Sequence, residues 1–158
     1  MAVLFVKHAS SFRDLEVYQL ARKLAQEIFE VSKAFPIAEM YSLTDQIRRS
    51  SRSVGAQIAE AWGKRRYEKH FVSKLTDADG EQMETQHWTD IASDCSYITP
   101  QERARWLELC ASIGRMLHSM IEKAEQFCSA TDHRLQVTAH RSQGQQELAE
   151  NSEEPGEL

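Results

Sequence analysis

Apolar residues recur along this chain in alternating steps of four and three, the spacing that gathers side chains on one face of a helix. Val17, Ala21, Leu24, Ile28, Val31 and Phe35 keep that period and predict a first helix over about 12–34, ended by Pro36. Leu43, Ile47, Ser50, Val54, Ile58 and Ala61 predict a second over about 38–65. A third, over about 68–95, has Phe71, Leu75, Ala78, Gln82, Thr85, Thr89 and Ala92 as inward candidates. That set is polar for a core, and Gly80 weakens the helix further. The fourth is the cleanest: Thr99-Pro100-Gln101-Glu102 has the form of a capping box with proline at the first helical position. Behind it Trp106, Cys110, Ile113, Leu117, Met120, Ala124 and Phe127 repeat without a break.

Helices of about 22 to 28 residues are roughly 33 to 42 Å long, and matched lengths with short turns predict an all-α, antiparallel up-down-up-down four-helix bundle. The expected organisation is an N-terminal extension over 1–11, the bundle over 12–128, and a flexible acidic tail over 129–158. In the tail the periodicity fades into Gln, Glu, Ser, Gly and Pro, which bury too little apolar surface to offset chain entropy. No internal repeat is detected, which argues against a solenoid.

Composition agrees with one globular domain: 158 residues, 41% hydrophobic and 27% charged, with only 6 Gly and 3 Pro to interrupt long helices. Cys95, Cys110 and Cys128 are odd in number and lack Cys-x-x-Cys spacing, so neither a disulfide framework nor a zinc site is expected, and a reducing cytoplasm fits. The apolar run from Ala2 to Val6 is shorter than a signal-peptide core, and no stretch reaches the length of a membrane span. The expectation is a cytoplasmic protein with no membrane partner.

The net charge of -5 is unevenly distributed. Between Ser42 and His70 lie seven basic residues, Arg48, Arg49, Arg52, Lys64, Arg65, Arg66 and Lys69, against Asp45, Glu60 and Glu68. Between Asp77 and Asp94 lie six carboxylates and no Lys or Arg. Arginine forks suit phosphate as well as carboxylate, so two sinks compete for the basic cluster: a nucleic-acid backbone, or the acidic third helix of the same or a neighbouring subunit. Trp62 and Tyr67 lie in the basic segment and can stack on bases, although packing is the commoner use of such a Trp.

The second helix also carries a row of small residues four apart, Ser51, Gly55, Ala59 and Gly63, about 60 to 100 degrees from the centre of its apolar stripe. Close packing inside the bundle would use such a row. Because it widens the contacting surface beyond the stripe, contact between subunits of a homo-oligomer is the preferred expectation.

Catalytic chemistry finds little support. Glu84-x-x-His87 has the spacing of a di-iron ligand pair, but no second Glu-x-x-His accompanies it, and a solvated polar face is the simpler use. Cys110 sits in the apolar seam, where a small core residue is expected. No glycine-rich phosphate loop or nucleophile constellation is present. No enzyme activity, catalytic residue, metal or cofactor is therefore expected.

The run Phe12-Arg-Asp-Leu-Glu-Val-Tyr-Gln-Leu-Ala21, followed by Phe35-Pro36, Glu39, Tyr41, Leu43, Gln46-Ile-Arg-Arg-Ser-Ser51 and Ile58-Ala-Glu60, resembles the bacterial four-helix bundle family of proteins encoded in rRNA intervening sequences. That family is similar to the accessory variability determinant of diversity-generating retroelements. The resemblance implies a five-subunit ring of four-helix bundles. From the retroelement relatives it implies a basic surface that binds nucleic acid and a reverse transcriptase. Carried onto this chain, the nucleic-acid-binding positions are Arg48, Arg49 and Arg52, then Lys64, Arg65 and Arg66. The acidic third helix departs from the family pattern, whose relatives tend to be apolar there.

Overall fold

The computed structural model describes residues 9–128. Four helices dominate: α1 (Glu16–Ser32), α2 (Asp45–Gly63), α3 (Glu68–Asp94) and α4 (Pro100–Glu122). Each packs against the next in chain order and α4 closes on α1, which makes the antiparallel up-down-up-down bundle that the hydrophobic periods predict. The expected acidic tail and most of the N-terminal extension lie outside the described residues.

The helices are less evenly matched than expected, at 17, 19, 27 and 23 residues. Phe12–Asp14 is a separate 3-10 turn, set apart from α1 by the extended backbone of Leu15. A capping box holds it: Arg13 N–H donates to the Ser11 hydroxyl, and the Asp14 carboxylate accepts from the Ser10 and Ser11 amides at 2.9 Å. A 3-10 turn, Ile37–Glu39, and a π-helical turn, Met40–Thr44, occupy the start of the predicted second helix. This irregular corner delivers Leu43 and Thr44 to the core and leaves Ile37 and Tyr41 88% and 82% exposed.

The predicted stripes become the core. Val17, Ala21, Leu24 and Ile28 of α1 meet Ile47, Val54, Ile58 and Ala61 of α2, and Trp106, Cys110, Ile113 and Leu117 of α4 complete the bundle. Truncating a buried leucine or isoleucine to alanine in such a core costs about 2 to 5 kcal/mol. Beyond α4 the chain stays helical over 124–128, where Phe127 stacks on Phe71 with ring centroids 5.5 Å apart.

All seven inward candidates of α3 are buried, including the polar ones. The Thr85 hydroxyl lies 2.9 Å from both the Glu81 carbonyl oxygen and the Ser50 hydroxyl of α2, and the Thr89 hydroxyl donates to the Thr85 carbonyl at 2.8 Å. Gln82 donates to Asp79 and accepts from Gln86, while Gly114 of α4 leaves it room: a Cβ there would sit 3.2 Å from Gln82 Nε2. Among the described residues no buried side-chain nitrogen or oxygen lacks a partner, so the layer avoids the penalty of about 1 to 3 kcal/mol for each unsatisfied group.

The α4 capping box is present, with the Glu102 amide donating to Thr99 Oγ1 at 3.1 Å and the Thr99 amide donating to the Glu102 carboxylate at 2.7 Å. The turn before it is a Schellman motif, with Tyr97 N–H donating to the Ala92 carbonyl and Ser96 N–H to that of Ser93, both at 2.9 Å. Ser96 takes the left-handed conformation there, φ 59°, where glycine is favoured. Ser96→Gly is expected to stabilise the bundle by about 1 kcal/mol. Urea unfolding followed by circular dichroism checks this, as an increased midpoint with unchanged slope.

Candidate nucleic-acid interface

The six basic residues expected to bind phosphate separate into two kinds. Arg48 and Arg65 are held by the protein itself. Arg48 bridges α2 to α1, its Nε donating to the Ser32 hydroxyl at 2.8 Å and its guanidinium lying 5.0 Å from the Phe29 ring centroid. Arg65 folds back on the end of α2, donating from Nε to the Trp62 carbonyl at 2.8 Å and stacking 3.5 Å from the Trp62 ring centroid. It thereby satisfies a terminal carbonyl and places positive charge at the negative end of the helix dipole. Burial pulls its guanidinium below the ordinary arginine value.

Arg49, Arg52, Lys64 and Arg66 are exposed, and among the described residues none of them forms an ion pair. Arg52 lies 5.3 Å from the Phe29 ring centroid and Arg66 lies 5.7 Å from that of Tyr67. Such contacts orient a guanidinium without neutralising it. Arg49 and Arg52 lie within α2, and Lys64 and Arg66 lie just past its end, about 20 Å further along the helix direction at 1.5 Å per residue.

The acidic third helix does not absorb these charges within the chain. Lys74 of α3 contacts Glu60 at 3.0 Å and Asp77 at 3.5 Å. Arg103 of α4 reaches Asp90 at 2.7 Å, and His118 lies 3.2 Å from Asp79. Glu84 accepts from the Trp88 indole at 3.0 Å. Burial and Glu84 push Glu81 above the ordinary carboxylate range, and Arg49 of α2 opposes that shift without reaching ion-pair distance.

The small-residue row runs between two environments. Ser51 and Gly55 are buried against α1, where a Cβ on Gly55 would meet the Tyr18 ring at 3.6 Å and Ala21 Cβ at 3.9 Å, ordinary contact distances. Ala59 is half-buried, and a Cβ on Gly63 would meet nothing within 4 Å. Packing within the chain therefore accounts for the first two members, leaving Ala59 and Gly63 on the outer part of the row.

Along that row residues of α1 and α2 line a groove of about 410 Å³. Ala21, Ala25, Gly55, Ala56 and Ala59 line it with little side-chain bulk, beside the rings of Phe12, Tyr18 and Phe29. Arg22, Gln26 and Arg52, all exposed, line it as well. Sequence reasoning followed the core stripe of α1 and passed over Arg22, Gln26, Phe29 and Lys33, which recur in steps of four, three and four on the flank of that stripe. This second period was the available signal.

The other candidates for chemistry are dispersed. Glu84 and His87 are exposed on α3, and among the described residues no third His, Cys, Asp or Glu joins them as a metal-binding group. Burial pushes the Cys110 thiol up to about 12, which leaves it protonated and unreactive in the core.

Fold and surface together define a helical bundle with a basic helix beside a small-residue groove. The chain belongs to the 23S rRNA-intervening sequence protein family, whose model matches residues 13–119. It is also similar to a crystal structure of a protein of unknown function from the S23 ribosomal protein family of Bacteroides thetaiotaomicron VPI-5482. The two are 28% identical with a TM-score of 0.60, over 66% of this chain and 97% of that chain. No curated protein matches the chain. The resemblance read from the Phe12–Ala21 run and the Gln46–Ser51 run is thus established, and no described helix is long and apolar enough to cross a membrane.

Glu81 yields a test of the electrostatics between α2 and α3. Its folded-state pKa lies above the unfolded one, so its ionised form favours unfolding, and this penalty operates in full above the folded pKa and vanishes below the unfolded pKa. Glu81→Gln is expected to raise the melting temperature near pH 7, with the gain shrinking as pH falls through the carboxylate range. Thermal melts across that range check both sign and window.

Proposed function

We propose that this protein is a non-enzymatic, self-associating four-helix bundle of the cytoplasm that binds structured RNA or another nucleic acid through the basic side of α2. The observation that carries this reading is the set of exposed cations, Arg49, Arg52, Lys64 and Arg66, that form no ion pair among the described residues, on a chain whose net charge is negative. A fold with acidic residues in excess can neutralise surface arginines easily. Here Asp77, Asp79 and Asp90 of α3 pair with Lys74, His118 and Arg103, and among the described residues Arg49, Arg52, Lys64 and Arg66 keep the charge that a phosphate backbone would neutralise on binding. The family's description, which links its members to intervening sequences of 23S rRNA, makes structured RNA the first ligand to try.

A second reading is a structural or protein-binding scaffold, and the corner formed by Ile37, Met40 and Tyr41 supports it. Three large apolar side chains exposed together are a surface that a protein partner or a further subunit would cover. A five-subunit assembly, or a reverse transcriptase as partner, follows from the resemblance to retroelement accessory proteins. In this reading the α2 arginines meet α3 carboxylates of a neighbouring subunit.

Filter binding of a structured RNA at several salt concentrations separates the two readings. Phosphate binding gives an affinity that falls steeply with salt, and Arg49→Ala with Arg52→Ala reduces the slope by roughly 0.7 to 0.9 for each phosphate left without its arginine. No binding at low salt, with light scattering still showing an oligomer, would reject the nucleic-acid reading and favour the scaffold.

A further inference from the structure

We infer that the groove between α1 and α2 seats one unpaired nucleotide, its base against the groove's aromatic rings and its phosphates at Arg22 and Arg52. This rests on the reading of the α2 face as a nucleic-acid surface and names the part of the nucleic acid that the surface takes. The volume of about 410 Å³ falls at the small-ligand end of binding clefts and is far too small for a duplex. Tyr18 and Phe29 are half-buried, and small neighbours such as Ala56 leave open space beside them. Stacking on rings and guanidinium planes is how proteins hold bases that have left a helix.

Charge selects the occupant. Arg22 and Arg52 line the groove, and among the described residues no carboxylate does. Next to it, Lys33, Arg48 and Arg52 surround the Phe29 ring with their cationic groups 4.7, 5.0 and 5.3 Å from its centroid. The nearby carboxylate Glu30 is engaged by Lys33 at 2.6 Å and by Gln26 at 3.0 Å. An apolar helix laid into this groove would strip water from Arg22 and Arg52 and return no counter-charge, a costly arrangement. A nucleotide supplies a flat apolar face and an anion together. A base paired within a duplex cannot enter, so the groove favours loops, bulges and single strands.

The test compares three probes of equal length at low salt by fluorescence anisotropy with the full chain: a single-stranded RNA, an RNA duplex, and an abasic strand that keeps the phosphates. Stacking of one base predicts roughly 5- to 150-fold tighter binding of the single strand than of the abasic strand. Ala56→Trp fills the groove from an exposed position and removes no charge, so it abolishes that preference and leaves the salt-dependent remainder. Ala25→Met fills the same space from α1 should the tryptophan perturb the helical circular dichroism. Equal, salt-sensitive affinity for all three probes overturns the groove and leaves the basic-surface reading standing. A preference that survives both filled grooves also overturns it, as does loss of oligomer in the filled variants with the preference intact, which would assign the groove to a second copy. Absence of binding to every probe overturns both readings together.

Discussion

Everything in this bundle depends on how α2 divides its surface. Its apolar stripe, Ile47, Val54, Ile58 and Ala61, is fully committed to the core, with Ser50 joining it through Thr85 of α3. Against α1 it presents Ser51 and Gly55, both buried, with Tyr18 and Ala21 of α1 packed near Gly55. The arginines flank these contacts, Arg48 and Arg52 leaning over Phe29 of α1 and Arg49 exposed. A helix with one apolar stripe and one ordinary polar face would give a bundle of the same topology. The small residues Gly55, Ala56 and Ala59 leave little side-chain bulk along the α1 side of the helix, and the groove lies beside them.

The distribution of charge follows from that geometry. Lys74 stands between α2 and α3 and ties Glu60 to Asp77, with its ammonium held above the ordinary lysine value by those carboxylates. Arg103 and His118 come from α4 to meet Asp90 and Asp79. Surface pairs of this kind contribute little to stability, on the order of 0 to 1 kcal/mol each. Their larger effect here is to occupy Asp77, Asp79 and Asp90 with cations other than the arginines of α2. Among the described residues no arginine of α2 forms an ion pair with the third helix.

Most of the fold was legible because helical periodicity reports burial directly. The seven inward positions of α3 were correct despite their polarity, since threonine hydroxyls can return to their own helix carbonyls and need no external partner. The start of α2 was misread because a 3-10 turn and a π-helical turn keep apolar residues near the helical period while shifting their direction, which leaves Ile37 and Tyr41 outside. The α3 to α4 turn carried no glycine to announce it, only Ser96 in a conformation that serine seldom adopts. At the candidate site the identity of the basic residues was visible, but not which of them the protein keeps for itself. Arg48 on Ser32 and Arg65 on Trp62 are contacts between groups that no local spacing relates to phosphate binding.

The central claim is that the α2 cations and the adjoining groove form one contact surface for nucleic acid. Ultraviolet cross-linking of the full chain to a single-stranded RNA, with the modified residues read by mass spectrometry, addresses it most directly. The account predicts cross-links at Tyr18, Phe29 and the basic side of α2, and at Tyr67 beside Arg66 in the turn after it. Cross-links concentrated on the outer face of α3, at Met83 or Trp88, would contradict it.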